Sequence, residues 1–274
     1  MLAAIHWNLD PVLGEVLGIQ IRYYSLCWVI GFLLGYHFVR KRFIKEGRNL
    51  RLLEPLAFYV FISALVGARL GHCFFYEFQY YSHHLLEIIL PVKFTDAGIK
   101  FTGYAGLASH GGVIGILIAL FLFHKKYKVS FLSLCDDLAY VAPLGGACIR
   151  VGNFFNSEIV GTPASVPWAI VFTRVDNLPR HPAQLYEAVS YLLIFIVLYL
   201  VLFKSKKQYN QGLIFGLSVF LIFFSRFVIE YVKIDQVPFE AGMRATLGMN
   251  NGQLLSLPLI LVGLFFWIRA IRKP

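Results

Sequence analysis

Charged side chains are scarce in this chain, since they make up 15% of its 274 residues against about a quarter in soluble domains. Low-complexity tracts, internal repeats and Pro/Ser-rich linkers are also absent. These absences exclude an ordinary soluble domain and a chain of several linked domains. Hydrophobic residues make up 58% of the chain, and several apolar stretches approach the ~20 residues that span a bilayer. The composition therefore predicts a single integral-membrane domain over residues 1–274, all-α and polytopic.

Patterns of metal ligation and of covalent catalysis are also missing. No Ser or Cys lies in an evident nucleophile motif. The pair Asp136-Asp137 alone does not supply the acidic cluster that Mg²⁺ would need, and we expect a structural or capping role for it. All four cysteines fall within apolar stretches without metal-ligand or disulfide spacing, so we expect simple packing: Cys27, Cys73, Cys135 and Cys148. The sequence thus predicts no metal, no cofactor and no covalent enzyme intermediate.

The net charge of +10 comes largely from basic residues that cluster in short segments. These segments alternate along the chain with less basic connections, as the positive-inside rule expects of cytoplasmic loops. A membrane orientation explains the charge, and no nucleic-acid partner is expected. The four clusters contain Arg40, Lys41, Arg42, Lys45, Arg48 and Arg51; Lys125, Lys126 and Lys128; Lys204, Lys206 and Lys207; and Arg269, Arg272 and Lys273.

Seven membrane spans are predicted from the apolar stretches. They cover about 22–39, 55–76, 105–124, 131–152, 183–203, 212–233 and 253–268. With the basic clusters inside, the N-terminus lies outside and the C-terminus lies in the cytoplasm, which requires an odd number of spans. The outer connections predict two arms, at about 1–21 and 77–104, and a small extracytoplasmic head at about 157–181.

Polar side chains from five spans or their ends share one predicted depth, roughly 5–10 Å below the outer surface at ~1.5 Å rise per residue. Such groups are expensive in lipid and are rarely left without a partner or a task. Independent packing needs do not explain one common level, so the pattern predicts one polar cavity in the outer leaflet. Its members are Tyr24, Arg69, His110, Arg150, Asn153, Glu158, Arg226 and Glu230.

Several of these residues have simpler explanations. Arg226 and Glu230 could form an i,i+4 ion pair that only neutralises itself. Arg69 could satisfy backbone carbonyls or extend to the interface. His110, among glycines, could serve helix packing, and Tyr24 could belong to an interfacial aromatic belt. The group around Arg150 is the hardest to explain as packing.

A cavity lined by two arginines suits one kind of chemistry. Two planar guanidinium forks at headgroup depth match a phosphate diester and would stabilise charge on a phosphate leaving group. A histidine nearby can take a proton near neutral pH. Because the chain has no nucleophile motif, the nucleophile would come from a second substrate.

Several motifs, in order along the chain, resemble the prolipoprotein diacylglyceryl transferase family. The signature is Arg150-Val151-Gly152-Asn153-Phe154-x-Asn156-x-Glu158-x-x-Gly161. The others are Asp10-Pro11-Val12, Ile21-Arg22-Tyr23-Tyr24, Gly67-Ala68-Arg69-Leu70-Gly71, Ser109-His110-Gly111-Gly112, Ala142-Pro143-Leu144-Gly145, His181-Pro182-Ala183-Gln184-Leu185-Tyr186-Glu187 and Arg226-Phe227-Val228-Ile229-Glu230. The resemblance covers nearly the whole chain.

This resemblance implies a reaction at the outer face of the bacterial cytoplasmic membrane. The diacylglyceryl group of phosphatidylglycerol would pass to the thiol of a lipobox cysteine in a prolipoprotein. A thioether would form and glycerol phosphate would leave. The implied partners are phosphatidylglycerol, the prolipoprotein signal peptide with its lipobox cysteine, and the lipid bilayer.

The resemblance also implies roles for particular residues. Arg150 and Arg226 would hold and polarise the phosphate, and His110 would deprotonate the thiol, although an arginine-lined site could instead favour the thiolate electrostatically. The expected catalytic residues are Arg150, Arg226, His110 and Tyr24. The expected substrate-binding residues are Arg150, Asn153, Glu158, Gly161, Arg226, Glu230 and Arg69.

Two positions depart from the family pattern. A glycine usually precedes the signature arginine, where this chain has Ile149. The position one turn before Arg226 is often aromatic in relatives, where this chain has Ile222. A hydroxyl that could help the phosphate site is therefore missing or supplied elsewhere.

Other classes of protein fit the sequence less well. A transporter or channel would more often show broken helices, a site near the midplane and internal repeats. A structural or receptor-like protein would not need two intramembrane arginines at one depth. A metal-dependent headgroup transferase would carry acidic clusters for Mg²⁺.

Overall fold

The computed structural model describes residues 5–16, 19–95, 98–101, 106–204, 209–234, 246 and 248–272. Within these ranges the chain is mainly helical, with two short 3₁₀ helices at Leu50–Leu52 and Glu230–Val232. In chain order the α-helices are α1 (Tyr23–Lys45), α2 (Leu53–Phe75), α3 (Phe78–Tyr81), α4 (Leu85–Ile89), α5 (Ser109–Tyr127), α6 (Phe131–Asn156), α7 (Ala183–Lys204), α8 (Leu213–Ile229) and α9 (Asn251–Arg272).

Five helical segments of the described chain are long and apolar enough to cross a membrane. They are Leu50–Phe75, Phe131–Asn156, Ala183–Phe203, Leu213–Val232 and Asn251–Arg272. This confirms a polytopic membrane protein. Helices α1 and α5 coincide with the other two predicted spans, but both end in basic residues that shorten their apolar stretch. The count of seven spans and the orientation stay predictions.

Short β-strands occupy the predicted arms and head, so the all-α class was too narrow. The strands are β1 (Ile5–Trp7), β2 (Val12–Val16), β3 (Ile19–Arg22), β4 (Val92–Thr95), β5 (Gly98–Phe101), β6 (Ile170–Phe172) and β7 (Pro179–Arg180). β2–β3 and β4–β5 are antiparallel pairs, and β1, β6 and β7 form one sheet with β1 parallel to β6. These segments lie outside the apolar stretches, and their Val and Ile residues favour extended backbone.

The chain divides into two compact units, and the prediction of a single domain stays a prediction. One unit comprises Met1–Arg42 and Cys135–Pro274, and the other comprises Phe43–Leu134. We call them the discontinuous unit and the central unit.

The core of the discontinuous unit is built on α6, α7 and α8. Tyr140 of α6 is fully buried, and its ring lies 5.5 Å from that of Phe195 on α7. Leu198 and Leu202 of α7 and Ile214 of α8 are also completely buried in this cluster. Burying such side chains fully stabilises a protein by roughly 1.5–3 kcal/mol each when the alternative is water. The cluster fixes α7 and α8 beside α6.

The pair Asp136-Asp137 has the structural role that the sequence predicted. Both Asp136 oxygens accept hydrogen bonds at 2.8 Å, one from the Gly212 N–H and one from the Phe215 N–H. These donors lie at the start of α8, where backbone N–H groups lack partners within the helix. Asp137 forms an ion pair with Arg42 at 3.2 Å, and both side chains are buried. The expectation of a cap-like role is confirmed.

In the central unit, α2 and α5 approach each other backbone to backbone through glycines. A Cβ built on Gly67 would lie 2.4 Å from the Gly111 carbonyl oxygen, and one on Gly111 would lie 2.2 Å from the Gly67 oxygen. A Cβ on Gly71 or Gly115, one turn further along each helix, would also lie too close, at 2.8 Å from the Gly111 Cα and 2.4 Å from the Ser63 oxygen. Two small-x₃-small patterns therefore form one close interface, as in other membrane helices. This explains the glycines that follow His110 as packing residues.

A small apolar cluster joins the head sheet to the end of α6. Phe172 of β6 is fully buried, and Phe154 near the end of α6 packs against it with ring centroids 5.8 Å apart. The Trp7 ring of β1 lies 4.3 Å from that of Phe154. The sheet β1-β6-β7 thus holds the end of α6, where the signature motif begins.

Candidate active site

Arg150 lies in the last two turns of α6 and contacts two other polar side chains. Its Nη1 donates to Asn153 Oδ1 at 2.9 Å, one turn further along the helix. Its Nε lies 2.7 Å from Glu187 Oε2 on α7, an ion pair without the alignment of a hydrogen bond. The Arg150 side chain is 15% exposed, whereas Glu187 is fully buried. Two neighbours therefore fix the guanidinium while part of it stays accessible.

The amides and the carboxylate of the signature form a continuous chain with Arg150. Asn153 Nδ2 donates to Glu158 Oε2 at 2.9 Å, and Asn156 Nδ2 donates to Glu158 Oε1 at 3.1 Å. Helix α6 ends at Asn156, and Ser157 and Ile159 both have positive φ angles, of 56° and 55°. These left-handed residues turn the backbone so that Glu158 points back toward Asn153.

Glu187 also belongs to a second, deeply buried network. Lys233 Nζ donates to Glu187 Oε1 at 3.0 Å and to Glu230 Oε2 at 3.1 Å. Asn250 Nδ2 donates to Glu230 Oε1 at 3.4 Å, and the Asn250 and Gln253 side chains each accept the other's backbone N–H. These contacts place Glu230 at the N-terminus of α9, where the helix dipole favours a negative charge.

The sequence did not single out Lys233 or Asn250 as site residues. Lys233 follows Glu230 by three residues and is 3% exposed. The signal that could have found it is a lysine at the end of the predicted span 212–233, since buried lysines are rare unless paired. Asn250 shows the spacing of a helix cap, with Gln253 three residues on.

Arg226 lies in the last turn of α8, and its polar contacts differ from those of Arg150. Within the described part of the chain, no hydrogen bond or ion pair to its guanidinium occurs. The alternative i,i+4 pair with Glu230 does not form, because both Glu230 oxygens are engaged by Lys233 and Asn250. Arg226 and Arg150 lie within electrostatic range of one residue, Tyr191 on α7. The structure thus brings the two arginines to one region.

Gly161 is a backbone junction in the head. Its N–H donates to the His181 carbonyl at 2.9 Å, and its own carbonyl accepts from Arg180 Nη1 at 3.1 Å. A Cβ built on Gly161 would lie 2.5 Å from the His181 oxygen and 2.7 Å from the Val232 oxygen. Only glycine leaves room for these three segments to meet. These contacts explain on structural grounds why this position is a glycine, in addition to its expected role near the headgroup.

Tyr24 lies at the start of α1, against the signature helix. A Cβ on Gly152 would lie 2.8 Å from Tyr24 Cδ2, so that glycine makes room for the ring. The half-buried Tyr24 side chain is within electrostatic range of Glu158 and Arg150. The structure therefore groups Tyr24 with the signature residues.

The other two predicted residues, Arg69 and His110, belong to the central unit. The Arg69 guanidinium donates to the carbonyl oxygens of Glu87 and Ile88 and lies over the Tyr81 ring. This arrangement matches the simpler explanation, in which Arg69 satisfies backbone carbonyls. His110 is exposed as the second residue of α5, and no hydrogen bond from its ring occurs among the described residues.

The segment that Arg69 supports carries a buried carboxylate outside the spans. Glu87 Oε1 accepts from the Phe94 N–H, and Oε2 accepts from the Tyr80 hydroxyl, both at 2.8 Å. Burial opposes ionisation, but these hydrogen bonds outweigh it and lower the pKa of the Glu87 carboxyl. Burial and the same hydrogen bond raise the pKa of Tyr80 to about 12. The Arg69–Glu87 contact thus anchors the predicted arm to α2.

The arrangement in the discontinuous unit suits recognition of an anion. Arg150 is held in place with part of its fork accessible, and Arg226 presents a guanidinium with no partner among the described residues. Two guanidinium groups on neighbouring helices match the oxygens of a phosphate. In the same ranges no group of three or more His, Cys, Asp or Glu side chains is arranged to hold a metal ion.

Comparison with known proteins identifies the family. The model of the family "Prolipoprotein diacylglyceryl transferase" matches residues 11–269. A phosphatidylglycerol–prolipoprotein diacylglyceryl transferase from Bacteroides fragilis is 45% identical over 267 residues, which cover 97% of this chain and 95% of that protein. Enzymes of the same name from Tolumonas auensis and Legionella pneumophila are 42% and 33% identical, over 98% and 95% of this chain and 98% and 96% of their own. The chain therefore belongs to the prolipoprotein diacylglyceryl transferase family.

Proposed function

We propose that this protein transfers the diacylglyceryl group of phosphatidylglycerol to the thiol of the lipobox cysteine in bacterial prolipoproteins. The names of its relatives support both substrates. The reaction forms a thioether and releases glycerol phosphate, as the first step of lipoprotein maturation. The protein works in the bacterial cytoplasmic membrane, where its apolar helices cross the bilayer.

One structural observation, the placement of two arginines, supports the chemistry of this proposal. Arg150 and Arg226 lie on adjacent helices near their ends, and the first is held by Asn153 and Glu187. Arg226 has no hydrogen bond or ion pair within the described ranges, so its charge is available to an anionic substrate. An uncompensated arginine in a membrane helix is costly, which favours a bound anion over a purely structural role.

The two arginines act on the bond that breaks. The thiolate sulfur attacks the diacylglyceryl carbon that carries the phosphate ester oxygen, forming an S–C bond while that C–O bond breaks. The bonding electrons move to the phosphate oxygen, so negative charge grows on the leaving glycerol phosphate. Guanidinium donors fixed next to those oxygens stabilise this charge more in the transition state than in the ground state.

The thiol proton requires an acceptor, and we propose His110 for this role. The competing explanation is that the arginines favour the thiolate electrostatically. A His110→Gln variant distinguishes them through its pH profile. If His110 is the base, the variant is slow at pH 7 and recovers as the pH rises toward about 8.5, where a free thiol ionises by itself. A variant profile that parallels the wild-type profile contradicts the assignment.

We further propose seven spans with the N-terminus outside, the C-terminus in the cytoplasm and the site open to the outer leaflet. In this orientation the lipobox cysteine emerges beside the apolar segment of the signal peptide, at the level of the lipid phosphate. The strands β1, β6 and β7 form the extracytoplasmic head over the signature motif.

The function is tested by reconstitution. Purified protein in mixed micelles is given phosphatidylglycerol and a lipobox peptide, and both the lipidated peptide and released glycerol phosphate are measured. We expect equal amounts of the two products, and none from a peptide whose lipobox cysteine is replaced by serine. A folded preparation that releases no glycerol phosphate contradicts the proposal.

A further inference from the structure

Resting on the proposed function, we propose that Tyr191 is a third ligand of the lipid phosphate. Its hydroxyl donates a hydrogen bond to the anion that Arg150 and Arg226 hold. The site then draws one donor group from each of α6, α7 and α8. Neither the family signature nor the predicted site residues include Tyr191.

Tyr191 is held rigidly beside Arg150. It lies one turn after Glu187 on α7, and Glu187 contacts Arg150 Nε at 2.7 Å. Its side chain is buried, with 6% exposed. A Cβ on Gly146 of α6 would lie 3.0 Å from Tyr191 Cδ2, so this glycine makes room for the ring. The packing fixes the Tyr191 ring against α6.

The neighbours of the Tyr191 hydroxyl determine whether it donates or accepts hydrogen bonds. Tyr191 interacts with Arg150 and lies within electrostatic range of Arg226. A guanidinium has no acceptor, so the hydroxyl can only accept from Arg150 and must donate elsewhere. Among the described residues it donates to no carbonyl or carboxylate. The residue as a whole is buried, but its hydroxyl oxygen is not among the fully enclosed polar atoms without a partner in the described ranges, so an anion can reach it.

Arg226, on α8, also has no hydrogen-bond acceptor for its guanidinium among the described residues. The buried carboxylate of Glu187 is already engaged by Arg150 and Lys233 at 2.7 and 3.0 Å. The accessible part of Arg150, the Arg226 guanidinium and the Tyr191 hydroxyl can therefore all donate to one bound acceptor. A phosphate diester offers non-bridging oxygens that can accept from several donors at once.

The position of Ile222 supports the assignment. Ile222 lies on α8 one turn before Arg226 and packs against the apolar cluster that contains Tyr191. The position one turn before Arg226 is thus aliphatic in this chain and offers no hydroxyl from α8. In this chain α7 supplies the hydroxyl instead.

The test begins with Tyr191→Phe, which removes the hydroxyl and keeps the ring against Gly146. We expect kcat/KM for phosphatidylglycerol to fall about tenfold to hundredfold, the usual worth of a hydrogen bond to a charged group. KM should carry much of the change, because the bond exists in the bound lipid as well as in the transition state. Tyr199→Phe, at a half-buried tyrosine stacked on Phe203 two turns further along α7, is the matched control and should leave both constants unchanged.

Two further measurements separate recognition from packing. Ile222→Tyr, added to Tyr191→Phe, should restore part of the affinity by supplying a hydroxyl from α8. Phosphatidylglycerol, but not diacylglycerol, should raise the thermal stability of the wild-type protein, and this difference should shrink in Tyr191→Phe. A loss of rate with undiminished stabilisation by phosphatidylglycerol assigns Tyr191 to packing and overturns the proposal.

The outcomes distinguish this inference from the proposed function. An active wild-type enzyme whose Tyr191→Phe variant has the same kcat and KM overturns the role of Tyr191 and leaves the function standing. A wild-type protein that binds phosphatidylglycerol through Tyr191 but transfers nothing overturns the function alone.

Discussion

Replacing Glu187 by glutamine should damage both stability and activity more than any surface charge change. Glu187 is fully buried, with Arg150 Nε at 2.7 Å and Lys233 Nζ at 3.0 Å. Glutamine keeps the shape of the side chain and removes its negative charge. The variant therefore leaves the buried Lys233 and the partly buried Arg150 with one fewer counter-charge.

The expected loss of stability depends on which polar contacts Lys233 and Arg150 keep in the variant. Breaking one partner of a buried ion pair costs about 3–5 kcal/mol. Lys233 keeps Glu230 at 3.1 Å, and Arg150 keeps Asn153 at 2.9 Å, so the lower end, about 3 kcal/mol, applies. Arg150 also loses the contact that fixes its Nε edge. A displacement of a reacting-site group by about 1 Å can cost on the order of 100-fold in rate.

The assay compares thermal unfolding in detergent and kcat/KM for phosphatidylglycerol with those of Glu46→Gln. Glu46 pairs with Arg48 at 3.5 Å on the surface, where an ion pair contributes at most about 1 kcal/mol. Glu46→Gln should match the wild type in both measurements. A Glu187→Gln variant as stable and as active as Glu46→Gln would refute the reasoning about the buried network.

Two further predictions concern the head. Gly161→Ala should lower stability by about 1–3 kcal/mol and reduce transfer, because its Cβ would lie 2.5 Å from the His181 oxygen; Gly14→Ala, which meets nothing within 4 Å, should change neither thermal unfolding nor rate. The hydrogen bond from Arg180 lowers the pKa of Asp176, so this pair stabilises the head above pH about 4 and loses its effect as the pH falls through the lowered value. Asp176→Asn should therefore flatten the decline of thermal stability below pH 4, and an unchanged decline would contradict that link.

The sequence was sufficient for features that depend on local pattern and on depth. Apolar length predicted the five described helices that are long and apolar enough to cross a membrane. The position of Asp136, away from the depth shared by the other polar groups, predicted its capping role. The spacing of Arg150, Asn153 and Glu158 predicted neighbours around the end of one helix, which the hydrogen bonds bear out geometrically. Their roles in transfer remain proposals.

Features that depend on which helices pack against each other could not be predicted from the sequence. Lys233, Asn250 and Tyr191 meet the site only because α7, α8 and the start of α9 pack side by side, and helical periodicity does not fix such neighbours. The strands of the arms and head were missed for a different reason. They are too short for a clear alternating pattern, and β1 pairs with a strand more than 160 residues away, from Ile5 to Ile170.

The most direct test of the central claim is the transfer rate of Arg226→Lys beside the wild type, with the same peptide and phosphatidylglycerol. Lysine keeps the positive charge but replaces a planar fork by a single ammonium group. If the guanidinium holds the phosphate as it leaves, the wild type should lipidate the peptide while the variant loses about 100-fold or more in rate. Transfer by Arg226→Lys at near wild-type rate would contradict the account.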